Sequence, residues 1–143
     1  MSLAQSASLG LETRFKVVVD GIDLGGWETC RGLAVDFHVD KLEEGGEYGF
    51  VHLLAGHVEY PTIKLTRAMT SSDSGRVQGW LSSKVDAFEG GTAQITLLDS
   101  KGQPVHTWSL RNVHPSSWKG PDLDANSGKV AKETLELAHE GFL

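Results

Sequence analysis

The stretch GLAVDFHVD, residues 32–40, alternates without a break: Leu33, Val35, Phe37 and Val39 fall on one side, and Ala34, Asp36, His38 and Asp40 on the other. Successive side chains of an extended chain point to opposite faces, so a period of two marks a strand with one apolar face. It is the clearest strand signal in the sequence, and it sets the expectation of a mainly β protein.

Toward the N-terminus, RFKVVVDG (14–21) places Phe15, Val17 and Val19 on one side and stops at Asp20-Gly21, a hairpin-turn pair. The glycine-marked DLGGWETC (23–30) is read as the connection between these two strands. Toward the C-terminus, KLEEGGEYG (41–49) is too charged and glycine-rich to pack inside, and it leads into the apolar FVHLLAGHVEY (50–60), Pro61 and a further strand, TIKLTRAMT (62–70). That layout predicts a long loop or a projecting hairpin.

The period then changes. TSSDSGRVQGWLSSKVDAF (70–88) offers Ser72, Asp73 or Ser74 as a helix cap and brings Val77, Trp80, Leu81, Lys84 and Phe88 to one side at helical spacing, which predicts one amphipathic helix in spite of Gly79. TAQITLL (92–98), the turn DSKG and QPVHTWSLRNV (103–113) predict a hairpin with Ile95, Leu97, Trp108 and Leu110 in the core. HPSSWKGPDLDANSG (114–128) is read as a long loop. In KVAKETLELAHEGF (129–142) the Ala, Lys and Glu content favours helix, while Thr134, Leu135, Glu136 and Leu137 alternate. The expected fold is a β-sandwich or barrel with one flanking helix, and 143 residues suit a single domain with one core.

Thirteen basic against nineteen acidic residues give a net charge of −6, which argues against a protein that grips nucleic acid through its phosphates. With Cys30 as the one cysteine, no intrachain disulfide forms, a thiolate zinc site is disfavoured, and cytosolic folding fits best. MSLAQSASLGLE (1–12) lacks the basic start and apolar run of a secretory signal, and no run of eighteen apolar residues occurs.

The polar residues do not assemble into a recognisable catalytic pattern. His52 and His57 stand five apart around Gly56, an odd spacing that sends strand side chains to opposite faces, so they are not assigned as metal ligands. His38, His106, His114 and His139 each stand alone in the sequence and are read as solvent-exposed or hydrogen-bonded. There is no G-x-S-x-G elbow and no phosphate-binding glycine loop followed by a helix. Glu43, Glu44 and Glu47 around Gly45-Gly46 lack the alternating Asp/Asn pattern of calcium loops and are read as a solvated loop or a docking element. Trp27, Trp80, Trp108 and Trp118 are spread through the chain as core or interface anchors are, rather than gathered into a stacking platform. No catalytic, cofactor or metal residue is assigned.

Taken in order, V-D-G (19–21), G-x-W-x-x-C-x-G-L (25–33), E-G-G (44–46), I-x-L-x-R (63–67), the hairpin ending in a tryptophan and E-x-L-E-L-A-H-E-G-F (133–142) resemble the tail tube protein family of contractile phage tails. Within it the chain looks most like tube proteins of extracellular contractile injection systems, with the type VI secretion tube protein more distant. The resemblance covers about Leu9 to Phe142 and favours a strand for the last segment.

It implies two packed antiparallel sheets forming a sandwich or barrel with one helix, in a single tail-tube-like domain over residues 1–143 with an ordered core over about 9–142. It further implies a non-enzymatic subunit of stacked hexameric rings inside a contractile sheath, with sheath, baseplate or tube-initiator and spike proteins as partners and payload or DNA in the lumen. Neither cofactor, nor sequence-specific nucleic-acid binding, nor membrane insertion is implied. Assembly is expected in the bacterial cytoplasm, followed by incorporation into a phage tail or injection particle. The segment 41–56 corresponds to the family's projecting assembly arm, with Glu43, Glu44, Gly45, Gly46, Glu47, Tyr48 and His52 as inter-subunit and inter-ring residues. The chain departs from the family pattern at Ala55, where proline is common, and at His57, where a basic residue is frequent, which leaves room for a specialised tube variant. The competing class is a monomeric β-sandwich ligand-binding module, for example for carbohydrate, with exposed tryptophans.

Overall fold

A computed structural model of the chain describes residues 15–43, 51–86 and 89–142. Among these residues, nine strands and one helix follow in the order β1 (Phe15–Val19), β2 (Ile22–Gly26), β3 (Thr29–Arg31), β4 (Asp36–Glu43), β5 (Val51–Glu59), β6 (Ile63–Ala68), α1 (Ser71–Lys84), β7 (Gly91–Leu98), β8 (Pro104–Lys119) and β9 (Lys132–Ala138). Seven strands form one antiparallel sheet in the order β2-β1-β7-β8-β9-β6-β3, while β4 and β5 form a separate antiparallel pair. The mainly β expectation with one helix is met. Among the described residues, no helix is long and apolar enough to cross a membrane.

The long strand β8 makes two half-sheets out of one. Its first part pairs with β7, from Pro104 opposite Leu98 to Val113 opposite Gly91, and its last part pairs with β9, from His114 opposite Ala138 to Lys119 opposite Thr134. At the changeover Asn112 takes φ 48, a left-handed conformation that asparagine tolerates better than most residues. The predicted loop at 114–128 therefore begins later: HPSSWK is strand and only the residues after Lys119 are loop. Pro115 had pointed to a loop, but it lies beside a register shift in a part of β8 that is paired with β9, where a missing amide is tolerated.

The two halves close over one apolar cluster. Val17 and Val19 of β1, Leu24 of β2, Ala93 and Ile95 of β7 and Leu110 of β8 meet Ile63 and Leu65 of β6 and Leu135 and Leu137 of β9, with Val77 and Trp80 of α1 covering one side. Each is buried, and each large aliphatic side chain withdrawn from water is worth about 1.5–3 kcal/mol. The inward positions 63, 65 and 135, 137 follow a period of two, and the last segment, ambiguous in its composition, is the strand that the resemblance favours.

The β1–β2 turn is Asp20-Gly21, both with positive φ, as a tight two-residue hairpin requires. Asp20 then does more than turn the chain. Its carboxylate accepts from the Trp80 indole N–H at 2.9 Å and the Thr92 amide at 2.9 Å, and pairs with Lys84 at 3.0 Å, so one side chain fastens turn, helix and β7. Burial works against its charge, yet these three partners together outweigh it and hold the carboxyl below its usual range.

Three boundaries differ from expectation. The helix cap is Thr70, whose hydroxyl accepts from the Asp73 amide, rather than Ser72, Asp73 or Ser74, and the helix ends at Lys84, with Phe88 outside the described residues. The segment read as a connection carries β2 and β3. The strand expected from Leu33 starts at Asp36, and Gly32, just before that stretch, takes φ +98 with Thr62 O so close that a Cβ would lie 2.2 Å from it.

Candidate assembly surface

The β4–β5 hairpin is the part of the described chain that pairs with no strand of the seven-stranded sheet. Asp36 opposes Glu59 and Phe37 opposes Val58, but Val39 opposes Ala55, so β5 carries one extra residue in this interval. That extra residue is a bulge, and Gly56 occupies it: a Cβ there would fall 2.0 Å from the His38 carbonyl oxygen. Only glycine lets the two backbones approach this closely.

The register sorts the base of the hairpin into two unlike faces. Phe37, Val39 and Val58 share one face and stand 69%, 51% and 44% exposed. These are residues the alternation would send to a core, and here they meet solvent. The other face carries Asp36, His38, His57 and Glu59, all exposed. His38 Nε2 lies 2.9 Å from Glu59 Oε2, and the His38 and His57 rings stack with centroids 4.2 Å apart at 18°.

Of the predicted arm residues, Glu43 ends β4 opposite Val51, and His52 pairs with Leu42 one step further along, so the backbone brings these two together at the far end of the hairpin. Glu44, Gly45, Gly46, Glu47 and Tyr48 lie outside the described residues. His57 stacks on His38 across the hairpin, and Glu59, two residues further along β5, bonds to the same His38, a grouping that spacing along β5 alone does not reveal. The pairing of Asp36 with Glu59 and Phe37 with Val58 is what brings the two strands together here.

A second polar constellation lies inside. Arg67 and Glu133 face each other across β6 and β9, on the same inward stripe as Ile63, Leu65, Leu135 and Leu137. Arg67 donates to the carbonyls of Leu24, Gly26 and Asp73, its guanidinium carbon lies 3.9 Å over the Trp27 ring, and its Nε is 3.6 Å from Glu133 Oε2. Glu133 accepts from Ser74 Oγ and from the Trp118 indole at 3.4 Å. Burial draws the Arg67 guanidinium down from its ordinary value, while Glu133 and Asp73 act to hold its charge. The network joins β2, β6, α1, β8 and β9, which makes it a structural tie rather than a reaction centre.

An open groove of about 470 Å³ runs past Phe15, Cys30, Leu33, Ile95 and Trp108. Burial pushes the Cys30 thiol up to about 11, so it remains protonated at neutral pH and is a poor nucleophile. Trp27 and Trp80 are buried, and Trp108 and Trp118 half-buried against the core, which is anchoring rather than the display of a sugar platform.

Residues 11–143 match the sequence profile of the family described as T4-like virus tail tube protein gp19. Among solved structures the chain is similar to one in the anti-feeding prophage baseplate, at 26% identity and a TM-score of 0.76 over 96% of this chain and 95% of that one. It is similar in fold to a chain of the sheath-tube complex of the PVC extracellular contractile injection system in its extended state, at 20% identity and a TM-score of 0.81 over 100% and 97%. A weaker likeness is to Hcp1 from Salmonella typhimurium, at 10% identity and a TM-score of 0.53 over 87% and 80%. Ephrin type-A receptors 4-B and 4-A of Xenopus laevis align at 30% identity over 86 residues, which is 58% of this chain; the chain spans 8% of the length of these curated relatives.

Proposed function

The chain belongs to the T4-like virus tail tube protein family, and from that premise we propose that it is the inner tube subunit of a contractile injection particle, building hexameric rings that stack into a hollow conduit inside a sheath. The observation that carries this reading is the β4–β5 hairpin. It pairs with no strand of the body and holds Phe37 and Val39 in solvent, an arrangement that a neighbouring subunit relieves by covering the apolar face. Among the described residues, β2 and β3 lie at the two ends of the seven-stranded order and add backbone edges of the kind that assemblies cover.

Head-to-tail contacts close into a ring when the rotation permits, and ring-on-ring contacts stay open and propagate. Sixfold closure is supported by the baseplate structure holding the similar chain, which was symmetrised sixfold. The extended-state complex supports a sheath around the tube. A net charge of −6 per subunit, repeated around a ring, repels nucleic-acid phosphates and leaves acidic payload little to hold. Baseplate or initiator and spike proteins are the other partners in this reading, with assembly in the bacterial cytoplasm before the finished tail or particle leaves. In this reading the arm, residues 41–56, makes the contacts with neighbouring subunits and rings.

Negative-stain electron microscopy of the purified chain over a range of concentrations, with light scattering for mass, tests the proposal. Rings or hollow tubes are expected, alone or on addition of a baseplate template. A chain that stays monomeric in both settings, with tryptophan fluorescence that responds to a sugar, would turn the assignment to the binding module.

A further inference from the structure

We propose that His38, His57 and Glu59 form a binding site for a divalent transition metal of the zinc class at the base of the β4–β5 hairpin. Each offers one ligand atom, and these atoms lie within 4.8 Å of one another. They come from both strands: His38 from β4, His57 and Glu59 from β5, on the face opposite Phe37 and Val58. Two imidazole nitrogens and one carboxylate oxygen are the donor types that zinc, nickel and copper accept, whereas calcium and magnesium take oxygen ligands.

A tetrahedral ion about 2.0–2.2 Å from each donor asks for donors roughly 3.3 Å apart. His38 Nε2 and Glu59 Oε2 are 2.9 Å apart and all three donor atoms lie within 4.8 Å of one another, so binding asks the two rings, stacked at 4.2 Å, to turn until their nitrogen lone pairs converge on the ion. All three side chains are exposed, so they can rotate to converge without disturbing a packed core. Three protein ligands leave the fourth position to water.

The backbone beneath is fixed independently. The bulge at Gly56, where a Cβ would lie 2.0 Å from His38 O, shifts the pairing between Phe37 and Val39, and the His38 and His57 rings stack beside it. A plain His38–Glu59 ion pair, exposed as it is, is worth little and needs no second imidazole. The site does not depend on the tube assignment, since it lies on residues of one chain.

The test is a titration of the full-length, tag-free chain with Zn2+ by calorimetry, and with Co2+ followed by its visible absorption. One site per chain is expected, with His38→Ala and His57→Ala each weakening binding by more than about tenfold, and His106→Ala, on β8, leaving it unchanged. Near-ultraviolet circular dichroism reports whether each variant keeps the fold. Absence of binding by the intact chain, or unchanged affinity in a folded His38→Ala/His57→Ala double variant, overturns the proposal.

Discussion

At the scale of single residues, the least replaceable side chains are the charged ones inside. Arg67 and Glu133 occupy inward positions that the alternation of I-x-L-x-R and E-x-L-E-L reserves for apolar residues, and their charges are held by each other and by the network around them, with Arg67 Nε in ion-pair but not hydrogen-bond range of Glu133. Removing one partner strands the other, so Glu133→Ala is expected to lose about 3–5 kcal/mol in urea unfolding, and the apolar pair Arg67→Met/Glu133→Leu to lose far less. His139 gives a second prediction. Burial holds it below its ordinary value of 6.5, so the fold favours the neutral ring. Its stabilising contribution is complete above about pH 6.5 and is lost as pH falls through the lower folded value. Thermal unfolding followed against pH should show that decline in the native chain and not in His139→Gln. Asp20, whose folded value is depressed, adds a separate loss at more acid pH, present above 3.8 and lost as pH falls through the folded value. Sequence patterning found the apolar half of these stripes and missed the ionic half, because burial of a charge depends on partners 66 residues away along the chain.

At the scale of elements, strand identity was legible in the alternation of β1 and β6, whereas β9, whose composition also suits a helix, was read as a strand from the family resemblance. What the pattern misjudged was destination: Phe37 and Val39 carry the strongest alternation and lie in solvent. Alternation reports that a face is apolar, and says nothing of whether the same chain covers it. The helix was legible too, but its cap was not, since Thr70, Ser71, Ser72 and Ser74 all carry cap-forming hydroxyls and tertiary packing decides among them. Thr70→Ala should cost about 1 kcal/mol while Ser72→Ala should be close to neutral by denaturant unfolding. The bulge was hidden for a similar reason, because Gly56 acquires its meaning only from the His38 carbonyl on the other strand. Gly56→Ala is expected to disturb the hairpin register while leaving the core intact, which amide hydrogen exchange would show as faster exchange confined to β4 and β5.

At the scale of the whole molecule, the exposed hairpin face separates folding from assembly. Phe37→Asp should leave unfolding within about 0.5 kcal/mol of the parent, as surface substitutions do, and yet abolish rings or tubes in electron micrographs; tubes of ordinary length from this variant would remove the hairpin from the interface. The tail-tube resemblance was legible from ordered motifs spread over nearly the whole chain, whereas the strand order was not, since motifs carry no register. That order has a consequence for synthesis. Val17 of β1 opposes Ile95 of β7 and Leu65 of β6 opposes Leu135 of β9, so each strand waits for roughly half the chain to follow it before these hydrogen bonds close. A ribosome releasing this protein therefore holds an N-terminal half in which the β4–β5 hairpin forms from local contacts, while Val17, Val19, Ile63 and Leu65 wait unburied for the final third to emerge.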